Sequence, residues 1–206
     1  MSTLSASTAS GQRGPADHNI REQIIAAAAD HFSHYGYGKT TVSDLAREIG
    51  FSKAYIYKFF DSKQAIGEAI CAQCLGSIGD AADEAIVEAK SATEKLRLLF
   101  KTIVEMSTQL FFNERKLYDI ASYAASEDWS SAQAYWDRIE AVITRIVREG
   151  RESGEFERKT PVDEVAEAIM HVMEPFMNPM MLQYNLDAVP DGASKVVSLI
   201  LRSLAP

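Results

Sequence analysis

The chain has 206 residues, 47% of them hydrophobic, with a formal net charge of −8. That length and apolar content suffice for one small domain and one larger one. No run of 18 apolar residues occurs and no charged-then-apolar start is present, so neither a membrane span nor a secretion signal is expected.

Residues 1–17 are rich in Ser, Thr, Ala and Gly and predict a flexible tail, with Arg13 and Arg21 placed to reach a minor groove or phosphates. A helix follows through Ile24, Ile25 and Phe32. Val42, Leu45, Ala46 and Ile49 then fall at i, i+3, i+4 and i+7, the apolar stripe of a short helix. Thr41 or Ser43 caps its start and Gly50 stops it. Ser52 caps a second helix expected to run through Phe60. Two helices joined by a Gly-containing turn form a helix-turn-helix, whose second helix enters the DNA major groove. Ile56, Phe59 and Phe60 pin that helix to a core, which leaves Lys53, Tyr55, Tyr57 and Lys58 on the outside.

The charge, split by region, agrees. Residues 1–65 carry seven Lys or Arg against six Asp or Glu, a balance of +1, and the remainder carries fourteen against twenty-three, a balance of −9. An acidic body with a mildly basic head suits a sequence-specific DNA binder, since only the head meets phosphate.

Beyond Lys63 the chain reads as helix after helix. One runs from a Ser62 cap towards Ala89, and the next from a Thr93 cap to about Phe111, with Leu96, Leu99, Phe100 and Ile103 on one stripe. A shorter one follows over 113–126, and a long one from Trp129 to about Ser153, ended by Gly150 and Gly154. The last two are expected over 161–184, opened by Pro161, and over 191–204. Strand-type alternation is missing, so the predicted fold is all-α.

The run Ile24 to Phe32, Gly36-Tyr37, Thr40-Thr41-Val42, Gly50-Phe51-Ser52, Tyr57 to Phe60 and Ser62-Lys63 resembles the N-terminal domain of the tetracycline-repressor (TetR) family of bacterial transcription regulators. Ala54 stands where the family very often has Gly, His31 where Leu is usual, and Ser43 where Arg is common, so the operator sequence does not follow from the resemblance. The resemblance implies a three-helix helix-turn-helix domain over 18–78, with the helix-turn-helix at 41–60. A larger helical domain over 79–206 would then bind an effector and dimerise.

Thr41, Tyr57 and Lys63 are expected at phosphates, Ser43, Ser52, Lys53, Ala54 and Tyr55 at base edges, and Lys58 elsewhere on the DNA-binding face. The implied partners are an operator in double-stranded DNA, a small-molecule effector and a second copy of the chain, without a cofactor or a membrane. In the family the last two helices pair with their copies. Val165, Ile169, Val172 and Met173 with Val196, Val197, Ile200 and Leu204 supply apolar faces for that role. Phe111, Tyr118, Tyr123, Trp129, Trp136, His171, Phe176 and Met177 are the candidates to line an effector pocket, aromatic enough to suit an apolar or planar ligand.

Repression relieved by ligand is the family's commonest logic, with ligand-dependent activation the alternative. A thiol switch at Cys71 and Cys74, which share a helix face at i, i+3, is a further alternative. With no other His or Cys near in sequence, that pair is not expected to hold a metal. Enzymatic reading finds no phosphate loop and no nucleophile elbow, and no catalytic residue is expected.

Overall fold

The computed structural model describes residues 15–206, and among them every regular element is helical. Residues 1–14 of the expected tail, Arg13 among them, lie outside the described residues, and residues 15–17, expected in the tail, are helical instead. Helix α1 (Pro15–Tyr35) buries Ile24, Ile25, Ala28 and Phe32 on one face. It packs on α2 (Val42–Ile49), which contributes Val42, Leu45 and Ala46.

The start of α2 is a capping box. Asp44 N–H donates to Thr41 Oγ1 at 3.2 Å, and Thr41 N–H donates to Asp44 Oδ2 at 3.0 Å. Such caps are worth about 1 kcal/mol. Gly50 ends α2 at φ +76°, the left-handed conformation that glycine adopts without a Cβ penalty.

Helix α3 (Lys53–Ile56) is a single turn, not the run through Phe60 that the sequence suggested. Beyond Ile56 the chain continues as hydrogen-bonded turns, Phe59 N–H to Ile56 O at 2.9 Å and Phe60 N–H to Ile56 O at 3.1 Å. Those turns still deliver Phe60 to the core.

From a Ser62 cap, α4 (Lys63–Val87) runs without a break across the expected domain boundary at 78/79. Its Ile66, Ile70, Cys71, Leu75, Ile78 and Ala82 form one buried stripe within a single core shared by both units. The body packs α5 (Ala92–Asn113), α6 (Arg115–Ser126) and α7 (Ser130–Ser153) around it. Ser91, not Thr93, caps α5, its hydroxyl accepting from Glu94 N–H.

Gly150 lies inside α7 and does not end it. A Cβ there would fall 2.2 Å from the Phe156 ring, so the glycine makes room for that side chain. Gly154, at φ +83°, is the stop.

The helix expected over 161–184 breaks after α8 (Val162–Met177). Asn178 precedes Pro179, whose ring disfavours helical backbone at the residue before it, and Asn178 sits at ψ 122°. A short α9 (Pro179–Leu182) and one 3₁₀ turn lead to α10 (Asp191–Ser203), which packs on α5 and α8.

Candidate nucleic-acid interface

The helix-turn-helix is held from behind and open in front. Ile56 and Phe60 are buried beneath it, while Thr41, Ser43, Arg47, Lys53, Ala54, Tyr57 and Lys58 are exposed. Thr41 and Ser52 serve two purposes, since their hydroxyls accept the backbone N–H groups of Asp44 and Tyr55 and cap α2 and α3. The hydrogen bonds that Thr41 donates through its side chain and backbone hold the Asp44 carboxyl below its ordinary range. Arg47 bonds the same carboxylate at 2.7 Å.

Two side chains differ from their expected setting. Tyr55 is half-buried, edge-on between Phe51 at 5.1 Å and Phe59 at 5.4 Å, with the Lys58 ammonium 5.4 Å from its ring. Its ring braces the turn, and only part of it reaches the surface. Lys63 donates to the Tyr37 carbonyl at 3.0 Å and lies 4.2 Å from the Tyr37 ring centroid. Burial pushes its ammonium pKa down. Arg21 stacks its guanidinium 4.7 Å from the Phe60 ring centroid. Arg47 and Lys39 are exposed cations of the same unit that helical patterning did not single out; their charge alone marks them.

The small unit also touches the body away from α4. Helix α1 packs on α6. Tyr37, in the loop before α2, meets Tyr123 of α6 at 5.3 Å and Trp129, which precedes α7, at 5.4 Å. Lys116 donates to His34 O.

The eight candidate pocket residues do not gather around one hollow. Phe111 stands edge-on to Tyr118 at 4.9 Å, and Tyr118 is buried with its hydroxyl donating to Pro179 O at 2.5 Å. Tyr123 and Trp129 belong to the contact with the small unit. Trp136 is half-buried on α7 beside Tyr135, 5.5 Å away. His171 is on the exposed face of α8, 3.6 Å from Glu167, and Phe176 and Met177 are buried. Aromatic content indicated packing, and periodicity does not distinguish a residue that fills a core from one that lines a cavity.

The dimer candidates divide between core and surface. Val165, Ile169, Met173, Val197, Ile200 and Leu204 are buried within the single chain, closing α8 and α10 on the body. Val172, at 48% exposure, and half-buried Val196 remain at the surface, joined by Leu199 at 58%, which the sequence reading did not select.

Among the described residues, no helix is long and apolar enough to cross a membrane, and no three His, Cys, Asp or Glu gather to hold a metal ion. Cys71 is 1% exposed, and burial pushes its thiol up to about 11. Burial raises Cys74 too. A reactive thiol needs the opposite setting, exposed and with a depressed pKa.

Known proteins resemble both units. Residues 24–70 match the profile of bacterial regulatory proteins of the tetR family, and residues 92–196 match a tetracyclin repressor-like C-terminal domain. An uncharacterized HTH-type transcriptional regulator of Bacillus subtilis, YdgC, is 22% identical over 189 residues, covering 90% of this chain and 93% of its own length. The negative regulator of the biofilm operon icaADBC in Staphylococcus aureus, IcaR, is 41% identical over 49 residues; that match covers 24% of this chain and 26% of IcaR. Among solved structures, the TetR family regulator PfmR from Thermus thermophilus superposes with a TM-score of 0.60 at 27% identity, over 87% of this chain and 97% of its own.

Proposed function

The chain belongs to the tetracycline-repressor family of bacterial transcriptional regulators, and from that premise we propose that it acts in the cytoplasm as a repressor. It binds a palindromic operator as a homodimer and leaves it when a small effector occupies the larger domain. The observation that carries the DNA reading is the open face of the helix-turn-helix. Ser43, Lys53, Ala54 and the Tyr55 edge are offered to bases, and Thr41, Tyr57, Lys58 and Lys63 to phosphates. Phosphate contacts position the head and base contacts specify the sequence. For Lys63, the Tyr37 carbonyl takes one of three ammonium donors, and two remain for a phosphate oxygen.

Dimerisation is supported by the apolar side chains that α8 and α10 leave uncovered, Val172, Val196 and Leu199. Repression is supported by the role of IcaR as a negative regulator, with which this chain shares 41% identity over 49 residues.

The route from effector to head follows from packing. A ligand shifts the equilibrium between two head spacings only by its differential affinity for them, and operator DNA must then weaken the ligand by the same factor. Besides the unbroken α4, the packing of Tyr37 on Tyr123 and Trp129 gives the body a second hold on the head. Removing the protein from its cell and measuring transcripts beside its bound sites tests the reading. Transcripts should rise; a fall would make the protein an activator, and no change at any bound site would overturn the regulatory role.

A further inference from the structure

Helices α5 and α10 leave a groove of about 220 Å³ between them. Phe100, Val104, Ala193 and Val197 form its apolar floor, all buried in the chain's core. Past Pro190 the trough continues along α5 as a second hollow that shares Val104 and Glu105 and reaches Thr108. From Arg97 to Thr108 is eleven residues, roughly 16 Å at the helical rise. The two hollows together extend along α5, a shape that suits a single chain.

One end of the trough is cationic. Arg97 and Lys101 stand one turn apart on the rim, and the groove shares Ser194 with an adjoining hollow that also holds Lys195, Ser198 and Arg202. Arg97 Nη1 donates to Ser198 Oγ at 3.1 Å, which ties the two hollows together. Two acids border the same region. Glu105 lies 3.9 Å from Lys101, and Asp191 lines the hollow. Four cations against two acids stand in a body whose balance is −9. Among the described residues, no carboxylate pairs with Arg97, Lys195 or Arg202.

We propose that this trough binds a single-chain amphipathic anion, its apolar chain lying on Phe100, Val104 and Val197 and its head meeting Arg97 and the Ser194–Ser198 hollow. Burial of the chain supplies a non-directional attraction, and the planar guanidinium supplies paired donors that match carboxylate or phosphate oxygens. The site does not compete with the proposed dimer face. At 100° per residue, Ser194 and Ser198 lie on the flank of α10 opposite Val196 and Leu199. As an effector site it rests on the induction reading above; as a binding site it does not.

Calorimetric titration of the full chain with decanoate, decyl phosphate, decan-1-ol and decylammonium tests it. Both anions should bind at one per chain, at least tenfold tighter than the alcohol or the ammonium, and the tighter anion identifies the head group. Arg97→Gln, at an exposed position, should weaken the anions at least tenfold and leave the alcohol unchanged. Ala193→Leu should weaken all four by filling the floor, with circular dichroism confirming the fold. Equal binding of all four probes, several molecules per chain, or an Arg97→Gln variant that binds the anions as before would overturn the proposal. If decanoate binds as described and operator affinity does not change, the site stands and induction through it falls. Release from the operator by some other ligand, with no decanoate binding, sinks the site and spares induction.

Discussion

Trp129 stands edge-on to Tyr37, their ring centroids 5.4 Å apart and their planes at 70°. The start of α7 therefore packs against the loop that leads into α2. Gly67 of α4 makes this contact possible, because a Cβ there would come within 2.8 Å of the Trp129 ring and 2.9 Å of the Tyr37 ring. Head and body meet through three elements at one point, where Trp129 is only 3% exposed.

Trp129→Ala should cost about 3–5 kcal/mol in urea unfolding, the usual loss for a buried aromatic. A double-mutant cycle of Tyr37→Leu and Trp129→Leu should return a coupling of about 0.5–1.5 kcal/mol. Strict additivity would mean that the two rings are neighbours without energetic consequence. In that case this contact would carry no signal between the units.

Lys58→Ala should reduce the slope of log affinity against log salt by about 0.9, the share of one neutralised phosphate. Tyr55→Phe should relax preference at one operator position by roughly 1–3 kcal/mol if the hydroxyl reads a base. The phenylalanine retains the packing against Phe51 and Phe59, which Tyr55→Ala would remove. A salt slope identical to wild type would take Lys58 off the phosphate backbone.

Much of this unit was legible in the sequence because local rules coincide there. The Val42–Ile49 stripe, the Thr41 cap and the Gly50 stop each act within one or two turns, and all three appear where the residues placed them. The second helix ends sooner than its pattern suggests because Phe59 and Phe60 continue an apolar spacing that hydrogen-bonded turns also satisfy. The body's helices were legible by period, but the assignment of faces was not. Val165, Ile169 and Ile200 form stripes that would serve a dimer or a core equally well, and only the packing of α8 and α10 shows them inside. The α5–α10 trough joins Arg97 to Ser198, 101 residues apart, a pairing that periodicity does not carry.

Glu155 gives a pH-dependent test of the body. Its carboxylate accepts the Ala92 and Thr93 backbone N–H groups, each at 3.0 Å, and so fastens the α7–α8 loop to the start of α5. Burial raises its pKa, but the bonds from Thr93 and Ala92 outweigh that and leave it below its ordinary 4.5. A depressed carboxylate stabilises the fold above its unfolded value and loses that contribution as pH falls through the folded one. Glu155→Gln should therefore lose roughly 1 kcal/mol near neutrality. The gap to wild type should narrow below pH 4.5. A gap that stays constant through that window would show that the charge does not contribute.

The thiols should be silent. With Cys71 buried and its pKa pushed up to about 11, Cys71 of the native protein at neutral pH should react with a thiol reagent only as fast as the protein unfolds. A Cys71→Ala, Cys74→Ala chain should bind its operator unchanged under oxidising and reducing conditions. Rapid labelling of Cys71 in native protein, or DNA binding that depends on oxidation state, would revive a redox switch.

The central claim, a symmetric pair of heads on a symmetric site, is tested most directly by footprinting the purified protein on DNA while measuring the mass of the bound species. The expected result is two protected half-sites related by a two-fold axis, about one helical turn or slightly more apart, with an even number of chains per site. Val172→Lys with Leu199→Lys should abolish that footprint and leave a folded monomer. A single unrepeated site protected by one chain would contradict the account.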